Sequence, residues 1–442
     1  MIKTKVCSCV GMCLLALAVP AAAQDRPASL STLFNDIFGP NGLVVASEDV
    51  AIDGTTHAAH FNSAFQSEFR LVNIALTSQL AAVPLASPAS GFTYRFDSAT
   101  GTFVRSTRSF GPILTDRGET VGRGRMAFGF NYQYYSFDRL DGIPLVSVPA
   151  VFTHDDSILG GGRTDVIGTT NTIEASISQV SGALTYGVTD RFDIALAVPL
   201  VRTDLSLLSN ATIHRVGTGV ETDVHYFPDQ DRIGGFGSSR QFFAEGSASG
   251  VGDILLRAKG TAVRRGNGAL ALGLDVRFPT GDEVNLLGSG ALGFRPFFAF
   301  SAAAGAFAPH VNVGYQWNGE SVLAGDVRTR EQGDLPDQLV ISGGTDVSVN
   351  ARFSMVLDVM GQRVYNSPRA FQRTFDATGP AGAATLPDIR FEEVDYWTSA
   401  VAVGMKTNVA PGVLVNFNMR FTIAENGLTD RVVPLLGLEW AF

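Results

Sequence analysis

The 442-residue chain reads as an all-β protein: an antiparallel transmembrane β-barrel of about 12 strands, 14 also fitting, with a partly helical N-terminal plug or extension. Two observations predict this. Long stretches alternate apolar and polar residues with a period of two, and the connections between them alternate between short and long. The last stretch is the clearest. Val432, Pro434, Leu436, Leu438, Trp440 and the terminal Phe442 share one face, while Arg431, Gly437, Glu439 and Ala441 lie mostly on the other. One face suits lipid and the other a polar lumen, which places the protein in a bacterial outer membrane.

Composition agrees. Charged residues make up 17% of the chain, against roughly 25% in soluble domains. A soluble β-sandwich can be as apolar, but its strands are short, whereas a barrel strand must cover about 9–11 alternating residues. At the N-terminus, Lys3 and Lys5 precede an apolar run from Val10 to Val19 and the small residues Ala21-Ala22-Ala23. This predicts a signal peptide over 1–23, cleaved before Gln24. The apolar run is too short for a spanning helix, which needs about 20 residues. Cys7, Cys9 and Cys13 all fall inside the signal peptide, so the mature chain has no cysteine for a disulfide or a zinc site. Losing two lysines leaves 31 basic against 42 acidic residues, a net charge of −11. Such a balance argues against a nucleic-acid partner, which selects a basic stripe.

The alternation recurs along the chain. Val413, Val415, Phe417, Met419, Phe421 and Ile423 oppose Asn416, Asn418, Arg420 and Thr422; Met126, Phe128, Phe130, Tyr132 and Tyr134 oppose Arg125, Asn131 and Gln133. Leu270 to Phe278, Phe192 to Leu200, Phe353 to Val359 and Trp397 to Met405 follow the same rule. A basic side chain facing lipid at mid-bilayer costs about 2–4 kcal/mol, so the charges must look inward. The inward set is Arg125, Asp193, Asp253, Arg257, Lys259, Asp275, Arg277, Arg352, Asp358, Lys406, Arg420 and Glu439. These residues carry both signs, and they fit a solute path or a salt-bridge ladder that fills the interior.

Short connections fall at 189–191, 265–268, 305–309, 349–351 and 410–412, rich in Gly, Asn, Asp or Pro. Long polar ones fall at about 139–172, 206–250, 281–290, 319–336 and 365–395. Pairing the stretches gives twelve strands, near 124–138, 172–187, 192–206, 250–264, 269–279, 290–304, 309–319, 337–348, 351–365, 394–408, 412–424 and 430–442. The barrel domain is thus 122–442, with short turns in the periplasm and long loops outside.

Residues 24–121 form a plug in the lumen or a periplasmic extension. Phe61, Phe65, Phe69 and Val72 recur every three to four residues, the stripe of an amphipathic helix. Gly91 to Ser106 reads as a small hairpin turning through Asp97 to Gly101.

Several segments resemble a known family. Ser109-Phe110-Gly111-Pro112-Ile113-Leu114 leading to Thr120-Val121-Gly122-Arg123-Gly124-Arg125-Met126, Thr185 to Ile194, Gly250 to Lys259 and Asp275 to Asp282 are similar to outer-membrane proteins grouped under the MetA pathway of phenol degradation. The resemblance runs from about Thr120 to Phe442 and implies a transporter. Its layout is similar to that of fatty-acid and aromatic-hydrocarbon channels, although the N-terminal hatch sequence of the fatty-acid channels is not visible. The shared motifs are turns and strands, so they name no binding residue.

Nothing in the sequence builds a catalytic constellation. His154 beside Asp155 and Asp156 sits in a long loop, and no serine occupies a Gly-x-Ser-x-Gly elbow. His57 and His60 would share a helix face but have no third ligand at a fixed spacing, so no metal and no cofactor is expected. The expectation is a non-enzymatic channel or transporter for small hydrophobic or aromatic solutes. Its partners would be outer-membrane lipid, the outer-membrane assembly machinery and the solute. The alternatives are a structural or adhesive surface barrel and, less favoured, a lipid hydrolase at the rim.

Overall fold

A computed structural model describes residues 29–38, 43, 45, 61–62, 73–77, 94–97, 102–105, 108–154, 165–216, 227–228 and 236–442. Twelve antiparallel strands close into a barrel: β1 (Met126–Phe137), β2 (Val166–Thr189), β3 (Phe192–His214), β4 (Ile254–Arg265), β5 (Gly268–Phe278) and β6 (Gly293–Ala302), then β7 (Phe307–Asn318), β8 (Gln338–Asn350), β9 (Phe353–Gly379), β10 (Gly382–Ala410), β11 (Val413–Thr422) and β12 (Val432–Ala441). Each strand pairs with its neighbours in sequence, and β12 pairs with β1. Closure is completed by the terminal residue. The Phe442 N–H donates to the Met126 carbonyl, and the Met126 N–H to the Phe442 carbonyl, both at 3.0 Å.

Closure follows from the solvent. Hydrocarbon offers no partner for a backbone N–H or C=O, so a sheet that spans it can leave no open edge. The alternation has the predicted sense. On β12, Leu436, Leu438 and Trp440 are exposed to the outside and Val433, Leu435 and Glu439 are buried inside; Phe130, Leu272 and Leu357 likewise project outward at mid-strand. Aromatics border the band at both ends, as expected of interfacial anchors. Phe128 stacks on Phe442 at the periplasmic end, and Tyr315 meets Trp317 and Tyr365 at the outer end. The outward pair Arg202–Asp204, 2.7 Å apart, marks where β3 leaves lipid.

The short turns join β2–β3, β4–β5, β6–β7, β8–β9 and β10–β11 as read from the sequence, and the strand count is twelve. Two long connections differ from the expectation. The stretch 365–395 is not a loop: β9 and β10 pair without a turn up to Gly379–Gly382. Asn366, at φ 45°, and a register shift between Val364 and Ser367 break the alternation there and hide the strand in the sequence. Within 206–250, β3 runs on to His214 and a further strand, Ser239–Val251, pairs back along it. Above the membrane the outward residues Ser206, Asn210 and Thr212 are polar because water replaces lipid, so the pattern reads as a loop, while inward Leu205, Leu207 and Ile213 stay apolar and buried.

The N-terminal region differs in part. The hairpin is present, Tyr94–Asp97 pairing with Thr102–Arg105. Phe61 is not helical: it lies in a two-residue strand, Phe61–Asn62, bonded to Thr153 and His154 of the strand Val148–His154. The long-range pairing overrides the local helical period. Phe65, Phe69 and Val72 lie outside the described residues, as do the signal segment, His57, His60, Asp155 and Asp156.

Leu436→Arg places a guanidinium in the middle of the lipid face, at a cost of about 2–4 kcal/mol. Thr398→Arg faces the interior beside a cavity and should cost much less. Urea titrations in lipid vesicles should separate the two variants; equal losses would contradict the register.

Candidate functional site

The interior is organised by a strap, residues 109–122, that precedes β1 and is buried along its length except for a half-buried Leu114. An irregular segment inside a barrel must find hydrogen bonds from the wall. It does so strand by strand. The Phe110 N–H donates to Ser354 Oγ on β9 (3.1 Å), Asp116 N–H to Asn312 Oδ1 on β7 (2.6 Å), Gly118 N–H to Ser301 Oγ on β6 (2.9 Å) and Val121 N–H to Asp193 Oδ2 on β3 (3.0 Å). Thr261 Oγ1 and Lys259 Nζ on β4 donate back to the carbonyls of Gly118 (2.6 Å) and Arg117 (3.2 Å). Ile113 packs with Val356 and Leu435 on the far side. The strap therefore crosses the lumen from wall to wall. Two glycines allow the closest approaches, since a Cβ on Gly118 would overlap the Ala269 carbonyl and one on Gly187 the Gly122 carbonyl.

The strap's charges lock into the wall's. Arg117, buried, binds buried Asp346 on β8 at 2.6 Å, and Asp116 accepts from Arg257 at 2.6 Å. Arg257 also binds Asp275 (2.6 Å), which takes Arg295 as well (2.5 Å). Beside Arg117, His310 Nε2 lies 2.6 Å from Asp358 and its Nδ1 3.5 Å from Asp346. Lys406 meets Glu439 at 2.6 Å, and Arg277 approaches Asp253 at 3.6 Å.

Of the twelve sequence-predicted inward residues, Asp193, Asp253, Arg257, Lys259, Asp275, Arg277, Asp358, Lys406, Arg420 and Glu439 lie on the inner wall. Most meet one another or the strap. Arg125 is half-buried at the periplasmic end of β1. Arg352 is a correction: it is exposed in the β8–β9 turn, its N–H donating to Asn350 Oδ1 at 2.8 Å, because β9 begins only at Phe353 and strand parity does not govern a turn residue. Missed were Asp116 and Arg117, which precede the barrel, and Arg295, His310 and Asp346. Those three sit at inward positions of strands already identified, so counting parity on β6, β7 and β8 would have found them.

The outer end is filled differently. The short helical turns Leu30–Thr32 and Leu33–Asp36 pack Leu30, Leu33, Phe34 and Ile37 against inward Ile173, Ile177, Leu205 and Leu207. Phe38 meets Phe152 and Phe242 edge-on, at 5.3 and 5.0 Å. The loop between β5 and β6 joins this cluster through Leu286 and Leu287, and its Val284 carbonyl accepts from Ser31 N–H at 3.1 Å. Burial in that loop raises the Glu283 carboxyl above its ordinary range.

Beside the strap lies a cavity of about 140 Å³. Leu114 and Asp116 of the strap border it, with Phe297, Met360, Gln362, Thr398 and Arg420 from the wall and Leu428 to Asp430 from the β11–β12 loop. Its lining is of mixed polarity, with Leu114, Phe297, Val313, Val340, Met360 and Leu428 set among charged and hydroxyl or amide side chains. Burial raises the Asp430 carboxyl, and N–H donors from Ser136 and Val432 oppose the shift.

Removing one partner of a buried ion pair leaves the other uncompensated and costs about 3–5 kcal/mol. Asp346→Ala should therefore lower the thermal unfolding midpoint clearly, and pairing Asp346→Asn with Arg117→Gln should recover part of the loss; an unchanged midpoint for Asp346→Ala would show that the strap is not anchored there.

The chain is similar to three solved structures at low identity. An outer-membrane channel from Pseudomonas putida F1 is 14% identical, with 73% of this chain and 97% of that chain covered and a TM-score of 0.41. A FadL homologue from Pseudomonas aeruginosa is 10% identical, with coverages of 83% and 96% and a TM-score of 0.31. The Ralstonia pickettii toluene transporter TbuX is 12% identical, with coverages of 73% and 90% and a TM-score of 0.29. No curated protein matches the chain. Residues 151–360, from the hairpin before β2 into β9, match the family described as "Putative MetA-pathway of phenol degradation".

Proposed function

We propose that this barrel is a channel for small hydrophobic or aromatic solutes, held shut by its N-terminal region acting as a plug. One observation carries the reading: a strap anchored by side chains from opposite walls crosses the lumen beside a cavity lined in part by Leu114, Phe297 and Met360. A wide aqueous pore needs neither. A barrel serving only as a surface scaffold has no use for an internal cavity of mixed polarity. The apolar cluster at the outer end suits solutes that prefer an apolar path to water, and the family's description, phenol degradation, agrees with aromatic cargo. On this reading the inward ion pairs, from Arg257–Asp275 to Lys406–Glu439, hold the plug and wall together, and no catalytic group is required.

Swelling of liposomes containing the purified protein tests the reading. Toluene-sized neutral aromatics should enter faster than sugars of similar mass, and equal exclusion of both would refute it. Deleting residues 24–109 should leave an inserted barrel with larger and less selective conductance in planar bilayers. Unchanged conductance would make that region an accessory of the rim. The assembly machinery is read as recognising the terminal aromatic. Deletion of Phe442 should accordingly reduce inserted protein and spare export to the periplasm, and normal insertion would exclude that role.

A further inference from the structure

One cation of the cavity has no hydrogen-bond or ion-pair partner among the described residues. The other arginines around it are committed: Arg257 to Asp116 and Asp275, each at 2.6 Å, and Arg295 to Asp275 at 2.5 Å. Arg420, turned inward on β11, forms no hydrogen bond or ion pair with the described residues, and its Nε is buried without a partner. Its only close contact of note is with the Tyr135 ring, the guanidinium carbon lying 5.3 Å from the centroid. Asp430 borders the same cavity and is near enough to feel the charge, but its two oxygens are engaged, accepting from Ser136 N–H at 2.6 Å and Val432 N–H at 3.0 Å. A guanidinium is always charged and offers five N–H donors in one plane. A contact over an aromatic face leaves the donors at its edge available.

We propose that Arg420 is the recognition group for the carboxylate of a small aromatic acid, bound in this cavity with its ring against Phe297, Met360 and Leu114. The proposal rests on the channel reading above and narrows it to a solute class. The volume, about 140 Å³, is close to the roughly 150 Å³ that accommodates a benzene ring. The charge fits as well. Arg257 and Arg295 are committed to carboxylates and the Asp430 oxygens are held by backbone N–H groups, so the donors of Arg420 are the ones left to meet a planar monoanion, which they can bind through two parallel N–H···O bonds. A phosphate carries more charge than one cation offsets. The apolar wall selects a ring over a small hydrophilic acid, since a short polar anion would leave Phe297 and Met360 facing water.

The test is isothermal titration calorimetry on the full-length mature protein in detergent, using benzoate and its neutral analogue of similar size, benzyl alcohol. The wild type should bind benzoate more tightly than benzyl alcohol. Arg420→Gln should weaken benzoate by about ten- to hundredfold, the value of a charge-assisted hydrogen-bonded pair, and leave benzyl alcohol nearly unchanged. Met360→Trp, which fills the cavity and keeps the guanidinium, should abolish both, so the proposal stays open to refutation if the arginine variant does not fold. Equal benzoate affinity in wild type and Arg420→Gln, no benzoate binding by the wild type, or undiminished binding by Met360→Trp would overturn it. Calorimetry reads occupancy and liposome swelling reads flux. Arginine-dependent benzoate binding without aromatic flux would support the site and end the channel reading, whereas flux of neutral aromatics without arginine-dependent benzoate binding would end the site and spare the channel.

Discussion

Everything in this structure depends on the absence of hydrogen-bonding partners in hydrocarbon. A sheet that crosses a bilayer must close on itself, and this one closes at its last residue, where Phe442 and Met126 exchange backbone hydrogen bonds. Closure creates an inside, and the inside cannot stay empty or unpaired. The strap answers that requirement. Four of its N–H groups, those of Phe110, Asp116, Gly118 and Val121, are each met by a side chain from a different strand. An irregular segment is thereby held at membrane depth without a ladder of its own.

The charges of the lumen follow the same logic. Taking an ion out of water is costly, and a buried pair repays that cost only with good geometry and further hydrogen bonds. Arg117, Asp346, His310 and Asp358 form such a set, and so do Asp116, Arg257, Asp275 and Arg295. Arg117 meets an acidic group of the wall and Asp116 a basic one, so the strap is matched to the wall by charge as well as by shape. Arg420 belongs to neither set. An ionisable side chain inside a membrane protein points to function.

The two ends of the lumen differ in chemistry. Near the periplasm the strap is fixed by ion pairs and side-chain hydrogen bonds; near the outer face Leu33, Phe34 and Phe38 meet an apolar inner wall. Dispersion and hydrophobic contacts are non-directional, whereas charge-assisted hydrogen bonds demand a fixed geometry. The strap is thus the more rigidly registered of the two.

The period-two pattern by itself determined the class of fold and which face of each strand meets lipid, because a residue's side of a strand is set by parity alone; with the spacing of the turns it brought the strand count to about twelve, fourteen also fitting. Phe417, Leu436 and Trp440 needed no tertiary information to be placed. Parity fails in a turn, at a register shift or where the solvent changes, which is why Arg352 was counted inward and why β9 and β10 beyond Asn366 read as loop. Partners are a different matter. That Asp116 meets Arg257, 141 residues away, or that Phe61 pairs with His154, follows from closure and from the path of the chain through the lumen. Only the tertiary structure could show that Arg420 has no hydrogen-bond or ion-pair partner among the described residues, since pairing depends on where every other charge ends up.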